Sequence, residues 1–473
     1  MAFEIAGARM LAPFVGTSSI IWTSIIGVVL ASLSLGNWLG GRLADKRQDV
    51  AFLSGILAVS ALLIVLLVLS KDPILTLITQ DSDDVRTQTV IAALILFAPI
   101  STVLGLAGPY ATRLNLVDIS TSGRIVGLFS AIGSIGSIFG TFAAGFWLLP
   151  TFGTNRVLII IAAFLFLLSL LVGGARYLSL KAVACLLLVT SVPILARVDT
   201  SLAAAGVHDL DTEYSRVIIE RRPWGDGRLA TLMRIDKQFS SGQYTDSDEL
   251  VFPYAYYYQL DSYFTKKVDT AVLLGGAGFT VNTDFLARNP TGTITVVEID
   301  PKLEEIAREF FRLKDDPRLR LVTEDARTFF NRNEAKYDAI YMDAFSTMYS
   351  VPFQLTTKEF VEKISAGLSD DGTYITNAIG TITGEKGQFV RALLSTYRSV
   401  FPFVEVYPVQ SPKSPGELQN IMIVAKKQAF TPHREPTPAE QLLLDHRYTD
   451  EISEMPILTD DHAPVEQYTL PLL

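Results

Sequence analysis

Acidic side chains and one glycine-rich turn stand out in this sequence by type and spacing. Gly275-Gly276-Ala277-Gly278 follows the apolar run Thr270 to Leu274. Glu298 ends the next β-like run, Thr293 to Glu298, 20 residues past Gly278. Asp325-Ala326 follows Leu319 to Val322, and Asp343 follows Tyr337 to Met342. Glycines at a strand end let a ligand approach the backbone, and the helix that follows offers free amides. A carboxylate at the position of Glu298 can accept hydrogen bonds from both hydroxyls of a ribose. Asp325 can reach the amino group of an adenine, and Asp343 can face a reacting centre. Taken singly, each acid also reads as a helix cap or a solvated charge. Acids gathered at consecutive strand ends read together as a nucleoside site. A dinucleotide site fits less well, because Thr280 and Val281 stand where the third glycine of G-x-G-x-x-G belongs.

The elements that must position these residues follow from the rhythm of the sequence. From about 268 onward β-like runs alternate with helical ones. The helices are expected over Val281 to Asn289 and Pro301 to Leu313, with further strands at Thr373 to Asn377 and Ile421 to Ala425. Such alternation predicts a parallel sheet flanked by helices, with ligands held beyond the carboxyl ends of its strands. Ahead of it, Arg216 to Glu220 and Leu229 to Ile235 predict a small antiparallel sheet, and an aromatic helix begins at Tyr254.

The first half of the chain has a different composition. Mean hydropathy over all 473 residues is +0.33. Six long apolar runs, at about 16–38, 51–70, 89–108, 125–148, 156–174 and 179–196, account for it. A bilayer crossing takes roughly 20 such residues, so a multi-pass helical domain in the cell membrane is expected. Residues 1–12 read as an interfacial helix or the tail of an earlier one, not as a cleaved signal peptide. The pairs Gly36/Gly40 and Gly136/Gly140 are spaced to let helices approach closely. No run carries a charged residue at its centre, which favours an anchor, or a path for an uncharged group, over a coupled pump. Arg42, Lys46 and Arg47, then Arg113 and Arg124, then Arg176 and Lys181 mark one side as cytoplasmic. Strict alternation then puts the C-terminal half outside. The cytosolic origin of S-adenosyl compounds argues for the inside, which is the expectation adopted here.

The resulting division is 1–198 for the membrane domain, 199–265 for the small β subdomain and acceptor-side helix, and 266–473 for a Rossmann-like, methyltransferase-type α/β domain. A net charge of -9 without a basic cluster excludes a nucleic-acid partner. One cysteine, Cys185, and four scattered histidines give no metal-ligand spacing, so no metal is expected.

With these residues in view, the chain resembles the polyamine aminopropyltransferases, the spermidine synthase family, and in particular its membrane-fused prokaryotic members. The resemblance rests on Arg9-Met-Leu-Ala-Pro-Phe14, Leu39-Gly-Gly-Arg-Leu-Ala-Asp45 and the Gly/Ser-rich fourth run. In the second half it rests on Asp248-Glu-Leu250, Leu274-Gly-Gly-Ala-Gly278, Val297-Glu-Ile-Asp-Pro301, Glu324-Asp-Ala326 and Tyr337-Asp-Ala-Ile-Tyr-Met-Asp343. It implies transfer of an aminopropyl group from decarboxylated S-adenosylmethionine to an amine, with release of methylthioadenosine. It further implies that Gly275, Gly276, Gly278, Glu298, Asp325 and Ala326 bind the nucleoside and that Asp343 is catalytic. Tyr254, Gln243 and Ser346 would line the acceptor pocket. Two positions depart from the family pattern. Ala277-Gly278 replaces an acid after the glycines, and Ser346 replaces the second carboxylate of the fourth-strand motif. Expected partners are a small amine, a lipid bilayer and a second copy of the chain. Two other readings stay open: a methyltransferase using S-adenosylmethionine, and a non-catalytic sensing or transport-linked module. Leu458-Thr-Asp-Asp461 reads as a capped loop.

Overall fold

Long apolar stretches without interior charge fold as helices, because backbone groups left unpaired among apolar side chains are costly. The computed structural model describes residues 1–16, 18–80, 85–116, 118–345 and 351–472. It divides into two compact units, Met1–Val217 and Ile218–Leu473. The composition change near residue 198 falls inside the last long helix of the first unit, which continues to Ala204.

The first unit holds α1 (Ala2–Val15), α2 (Ser19–Lys46), α3 (Val50–Gln80), α4 (Val85–Leu96), α5 (Ala98–Asn115), α6 (Ser122–Ala143), α7 (Leu149–Phe152), α8 (Thr154–Gly173) and α9 (Leu178–Ala204), then the strand β1 (Val207–Asp211). Five helical stretches among the described residues are long and apolar enough to cross a membrane. Arg86–Leu96 and Ala98–Asn115, bent by 49°, make a sixth if counted as one. Arg113, in the last turn of the pair, bonds Asp45 at the end of α2 (3.1 Å). Arg47 bonds Tyr177 at that same end (3.2 Å), and Arg156 pairs with Asp199 at the opposite one (3.0 Å).

The Gly36 ridge packs as its spacing predicts. A Cβ at Gly36 would lie 2.2 Å from the Thr102 carbonyl oxygen, and one at Gly105 2.7 Å from that of Leu33. The second pair does not. Gly136 has no neighbour within 4 Å, and Gly140 meets only Ala2 at 3.6 Å. The reason is that, among the described residues, no helix packs closely on this face of α6, whose apolar window has no buried residue. Lys181, in the first turn of α9, is buried and donates to the carbonyls of Ser169 (3.0 Å) and Gly174 (2.8 Å).

In the second unit, β2 (Arg216–Trp224), β3 (Arg228–Ile235) and β4 (Gln238–Tyr244) lie in that order, with β3 and β4 antiparallel. The segment expected as an aromatic helix is a 3₁₀ turn, Pro253–Leu260, running into the short α10 (Asp261–Phe264). The main sheet contains β5 (Thr270–Leu274), β6 (Thr293–Glu298), β7 (Leu319–Thr323), β8 (Tyr337–Met342), β9 (Leu368–Gly380), β10 (Phe403–Pro408) and β11 (Gln419–Lys426), in the order β10-β11-β9-β8-β5-β6-β7. The expected parallel sheet is present from β9 to β7, and β11 enters antiparallel between β9 and β10. This is the Rossmann-like, methyltransferase-type arrangement. Helices α11 (Thr280–Arg288), α12 (Pro301–Phe310), α13 (Ala326–Arg332), α14 (Lys358–Gly367) and α15 (Gln388–Arg398) connect its strands. The short helices α16 (Pro438–Leu444) and α17 (Val465–Thr469) follow.

The strands are β-branched and apolar because both sheet faces are covered. Val272, Leu274, Ile340, Met342, Tyr374, Ile421 and Ile423 are each no more than 1% exposed. The Leu458-Thr-Asp-Asp461 segment packs onto this core. Leu458 is buried, and Asp460 accepts from Thr357 (2.6 Å) and Arg327 (2.5 Å). Its role is structural, as the capped-loop reading has it.

Candidate active site

Strand order decides what the strand-end residues can do together. β5 pairs with β6 on one side and β8 on the other. The chain therefore reverses its direction of winding between β5 and β8, where a crevice opens beyond the carboxyl ends. In space, the ends run Asp343, Gly275, Glu298, Asp325. In sequence, Asp343 comes last. Strands lie about 4.8 Å apart, so the row extends on the order of 14 Å.

The glycine turn is tightly wound. Gly275 (φ 94°), Ala277 (φ 43°) and Phe279 (φ 55°) are all left-handed. Two of the three carry a Cβ, a strain that clusters at functional turns. A Cβ on Gly275 would fall 2.8 Å from the Asp343 carbonyl oxygen, so only glycine lets these two strand ends meet. The amides of the turn itself are taken up within the protein. Gly276 (2.7 Å) and Ala277 (3.1 Å) donate to one oxygen of Glu298, and Gly278 donates to the Ser241 hydroxyl (2.9 Å). The other Glu298 oxygen accepts from the Asp300 amide (3.0 Å). A carboxylate has roughly four acceptor positions, so Glu298 can hold the turn and still accept from a ligand hydroxyl. Asp325 caps α13 through one oxygen, which accepts from Thr328 N (2.9 Å). Ala326 is buried behind it. The cap occupies Oδ1 of Asp325.

Asp343 is built more elaborately than the sequence indicated. Asn377, on β9, donates to its Oδ1 (3.0 Å), and the Tyr254 hydroxyl donates to its Oδ2 (3.1 Å). Asn420, on β11, donates in turn to the Asn377 carbonyl oxygen (2.9 Å), fixing which end of that amide faces Asp343. Tyr258 ties its hydroxyl to the Met342 carbonyl (3.1 Å). Burial pushes the Asp343 carboxyl up to about 6, while the hydrogen bonds from Asn377 and Tyr254 restrain the rise. Burial, then the nearby Asp343 charge, hold Tyr254 well above the ordinary phenol range, so it stays a donor. At neutral pH Asp343 is thus ionised and poised to take a proton.

Asp343, Tyr254 and Asn377 open onto a cavity of about 320 Å³ that Trp224, Phe239 and Phe252 also line. Among the predicted acceptor residues, Tyr254 is there. Gln243 is not; its amide is best turned toward Phe311 O (2.8 Å) and Arg312 (3.1 Å), in the scaffold. Ser346 lies outside the described residues. Among those described, no group of His, Cys, Asp and Glu has the arrangement of a metal site. The sequence reading missed Asn377, Asn420 and Trp224.

Residues 264–433 match the spermine/spermidine synthase domain. The chain is 30% identical over 216 residues to the polyamine aminopropyltransferase of Vibrio vulnificus, spanning 44% of this chain and 69% of that one. The chain belongs to the spermine/spermidine synthase family. A second family member, polyamine aminopropyltransferase 2 of Aquifex aeolicus, is 23% identical over 397 residues, 79% of this chain and 76% of its own. That alignment is longer than the second unit and so extends into the helical one. A probable spermidine synthase from Corynebacterium glutamicum of known structure is 23% identical, with a TM-score of 0.42 over 50% of this chain and 85% of its own. Within the spermine/spermidine synthase family, this chain places Asp343 and the Gly275 turn inside the matched domain and Tyr254 just ahead of it.

Proposed function

We propose that this protein transfers the aminopropyl group of decarboxylated S-adenosylmethionine to an amine and releases methylthioadenosine. One observation carries the reading. The order of side chains along the sheet edge, Asp343, the Gly275 turn, Glu298, Asp325, is the order of chemistry along the reacting pair: amine, sulfonium carbon, ribose, base. Asp343 receives the proton that the attacking ammonium must lose. The amine's lone pair then forms the new C–N bond as the C–S pair returns to sulfur, neutralising the sulfonium. Sulfur is already a good leaving group, so the protein's main contribution is alignment, worth up to roughly 7–11 kcal/mol. Asn377 and Tyr254 hold the Asp343 carboxylate for that alignment. Glu298 and Asp325 would hold ribose and base through their remaining acceptor capacity. The decisive assay incubates the full chain with decarboxylated S-adenosylmethionine or S-adenosylmethionine and amines. Amine-dependent methylthioadenosine supports aminopropyl transfer, whereas S-adenosylhomocysteine in its place would mean methyl transfer.

The helical unit is proposed to cross the cell membrane six times. Its surface supports this: Phe139, Phe146 and Leu171 are 74%, 76% and 74% exposed, large apolar side chains whose exposure water would penalise. Seven Lys and Arg lie at the Arg42–Arg113–Arg176 end and five at the other. An excess of two is a small orienting bias. Supply of a cytosolic co-substrate outweighs it, and the second unit is placed in the cytosol. A fluorescent-protein fusion after Leu473 should then fluoresce, and alkaline phosphatase there should stay inactive; the reverse pair of results would move the site outside. Association with a second copy is likewise a proposal, checked by the mass of the detergent-solubilised particle.

A further inference from the structure

We propose that the acceptor at this site is a monoamine with an uncharged aromatic or apolar far end, in place of a diamine. The inference rests on the aminopropyl-transfer reading and names its acceptor class. The cavity beside Asp343 has a single carboxylate, Asp343 itself, among its described lining residues. The segment at 346–350 that follows reads Ser-Thr-Met-Tyr-Ser, so it brings no second one. A diamine is doubly charged at neutral pH, since alkylamines titrate near 10. Its far ammonium would enter this cavity without an anionic partner, at a cost of several kcal/mol if desolvated.

Aromatic faces can substitute for a carboxylate by attracting a cation. Here Trp224 and Phe239 already have a cation beside them. Trp224 packs edge-on against Phe239 (5.3 Å) and Phe252 (5.8 Å), and Phe252 stacks on Tyr254 (6.1 Å). The Arg222 guanidinium lies 5.0 Å from the centroids of both Trp224 and Phe239. A far ammonium on Trp224 or Phe239 would thus share the ring with the Arg222 guanidinium, which itself pairs with Glu220 (3.4 Å). The remaining surface is neutral: Ile379, Val409, Leu418 and the amides of Gln410, Gln419 and Asn420. At the Asp343 end, Ser240 lines the same cavity, with its hydroxyl oxygen buried. Tyr254, which bonds Asp343, also donates to the Ser240 carbonyl (3.2 Å). A single amine can therefore meet Asp343 while its tail lies on the rings. A flat aromatic tail matches them by edge and face contacts.

The test measures methylthioadenosine release by the full-length protein in detergent, with decarboxylated S-adenosylmethionine and either putrescine or 2-phenylethylamine. The expected result is a kcat/KM for 2-phenylethylamine at least about tenfold above that for putrescine, the effect of roughly 1.4 kcal/mol. Gln410→Glu, which adds a carboxylate at the exposed rim, should raise the putrescine value about tenfold with little change for 2-phenylethylamine. Trp224→Ala should raise KM for 2-phenylethylamine about tenfold and leave its kcat within about threefold. Turnover in which putrescine is the better acceptor overturns the acceptor assignment and leaves aminopropyl transfer standing. Failure of both amines, together with every other amine tried, overturns both.

Discussion

Replacing Asn377 by leucine removes the amide that donates to Asp343 Oδ1 at 3.0 Å while keeping an apolar side chain of similar size in a site only 3% exposed. The bond stabilises the carboxylate over the carboxylic acid. Hydrogen bonds to charged groups contribute about 1.5–3 kcal/mol, and one pKa unit corresponds to about 1.4 kcal/mol. Some of that energy survives through Tyr254 and water, so a rise of about one unit is expected, from about 6 toward 7. The reaction needs Asp343 ionised. Activity should therefore fall on the acid side with a midpoint near 6 in the natural protein and near 7 in Asn377→Leu. At pH 6 the ionised fraction drops from about one half to about one tenth, a fivefold loss of kcat/KM beyond any pH-independent effect. At pH 8.5 only that pH-independent effect remains. The assay is methylthioadenosine release under acceptor-limited conditions between pH 5 and 8.5. An acid limb that stays near 6, or moves lower, would refute the assignment of that limb to Asp343 and of Asn377 to its support. Asn420→Ala, one bond further away, should shift the limb in the same direction by less.

Three other perturbations bear on separate parts of the account. Asp343→Asn should abolish turnover yet leave nucleoside binding largely intact by calorimetry. Because the folded Asp343 carboxyl titrates above its unfolded value, its stabilising contribution exists below about pH 4 and is lost as pH rises through about 6. The asparagine variant should accordingly melt higher than the natural protein at pH 8, with the gap closing toward pH 4. Glu298→Ala should weaken nucleoside binding by about tenfold or more, and since Glu298 also ties down Gly276 and Ala277, exchange of those two amides with solvent deuterium should speed up. Gly36→Leu should disrupt the helical unit, since even a Cβ there lies 2.2 Å from Thr102 O, while Gly136→Leu should be tolerated; thermal unfolding in detergent checks both.

Much of the scaffold was legible in the sequence. β5 and β8 begin and end where the apolar runs Thr270 to Leu274 and Tyr337 to Met342 do. The polar strand β4 was not visible, because Gln238-Phe-Ser-Ser-Gly-Gln-Tyr244 has no apolar alternation. It forms because β3 offers it a ladder, with Ala230 to Ile235 pairing along its length. Site residues on strand ends were legible where a single strand sufficed to place them, as for Glu298, Asp325 and Asp343. Asn377 was not. It ends the expected run Thr373 to Asn377, but its uncharged amide does not stand out there, and only the pairing of Met342 with Thr376 sets it beside Asp343. Asn420 needs one further strand, through the register of β11 on β9. Gln243 misled because its residue type suits an acceptor pocket while its strand position turns it toward Arg312. The Gly136 pair misled for a similar reason: spacing permits close packing, and a neighbouring helix must supply it.

The central claim is that a carboxylate at the crevice between β5 and β8 directs an amine onto the carbon beside a nucleoside sulfonium. Its most direct test is mass spectrometry of the products after incubating the purified full-length chain with decarboxylated S-adenosylmethionine and an amine acceptor, with Asp343→Asn in parallel. The account predicts methylthioadenosine and an aminopropylated amine in equal amounts from the natural protein and neither from the variant. Equal yields from both proteins, or a nucleoside consumed with no aminopropylated product, would contradict it.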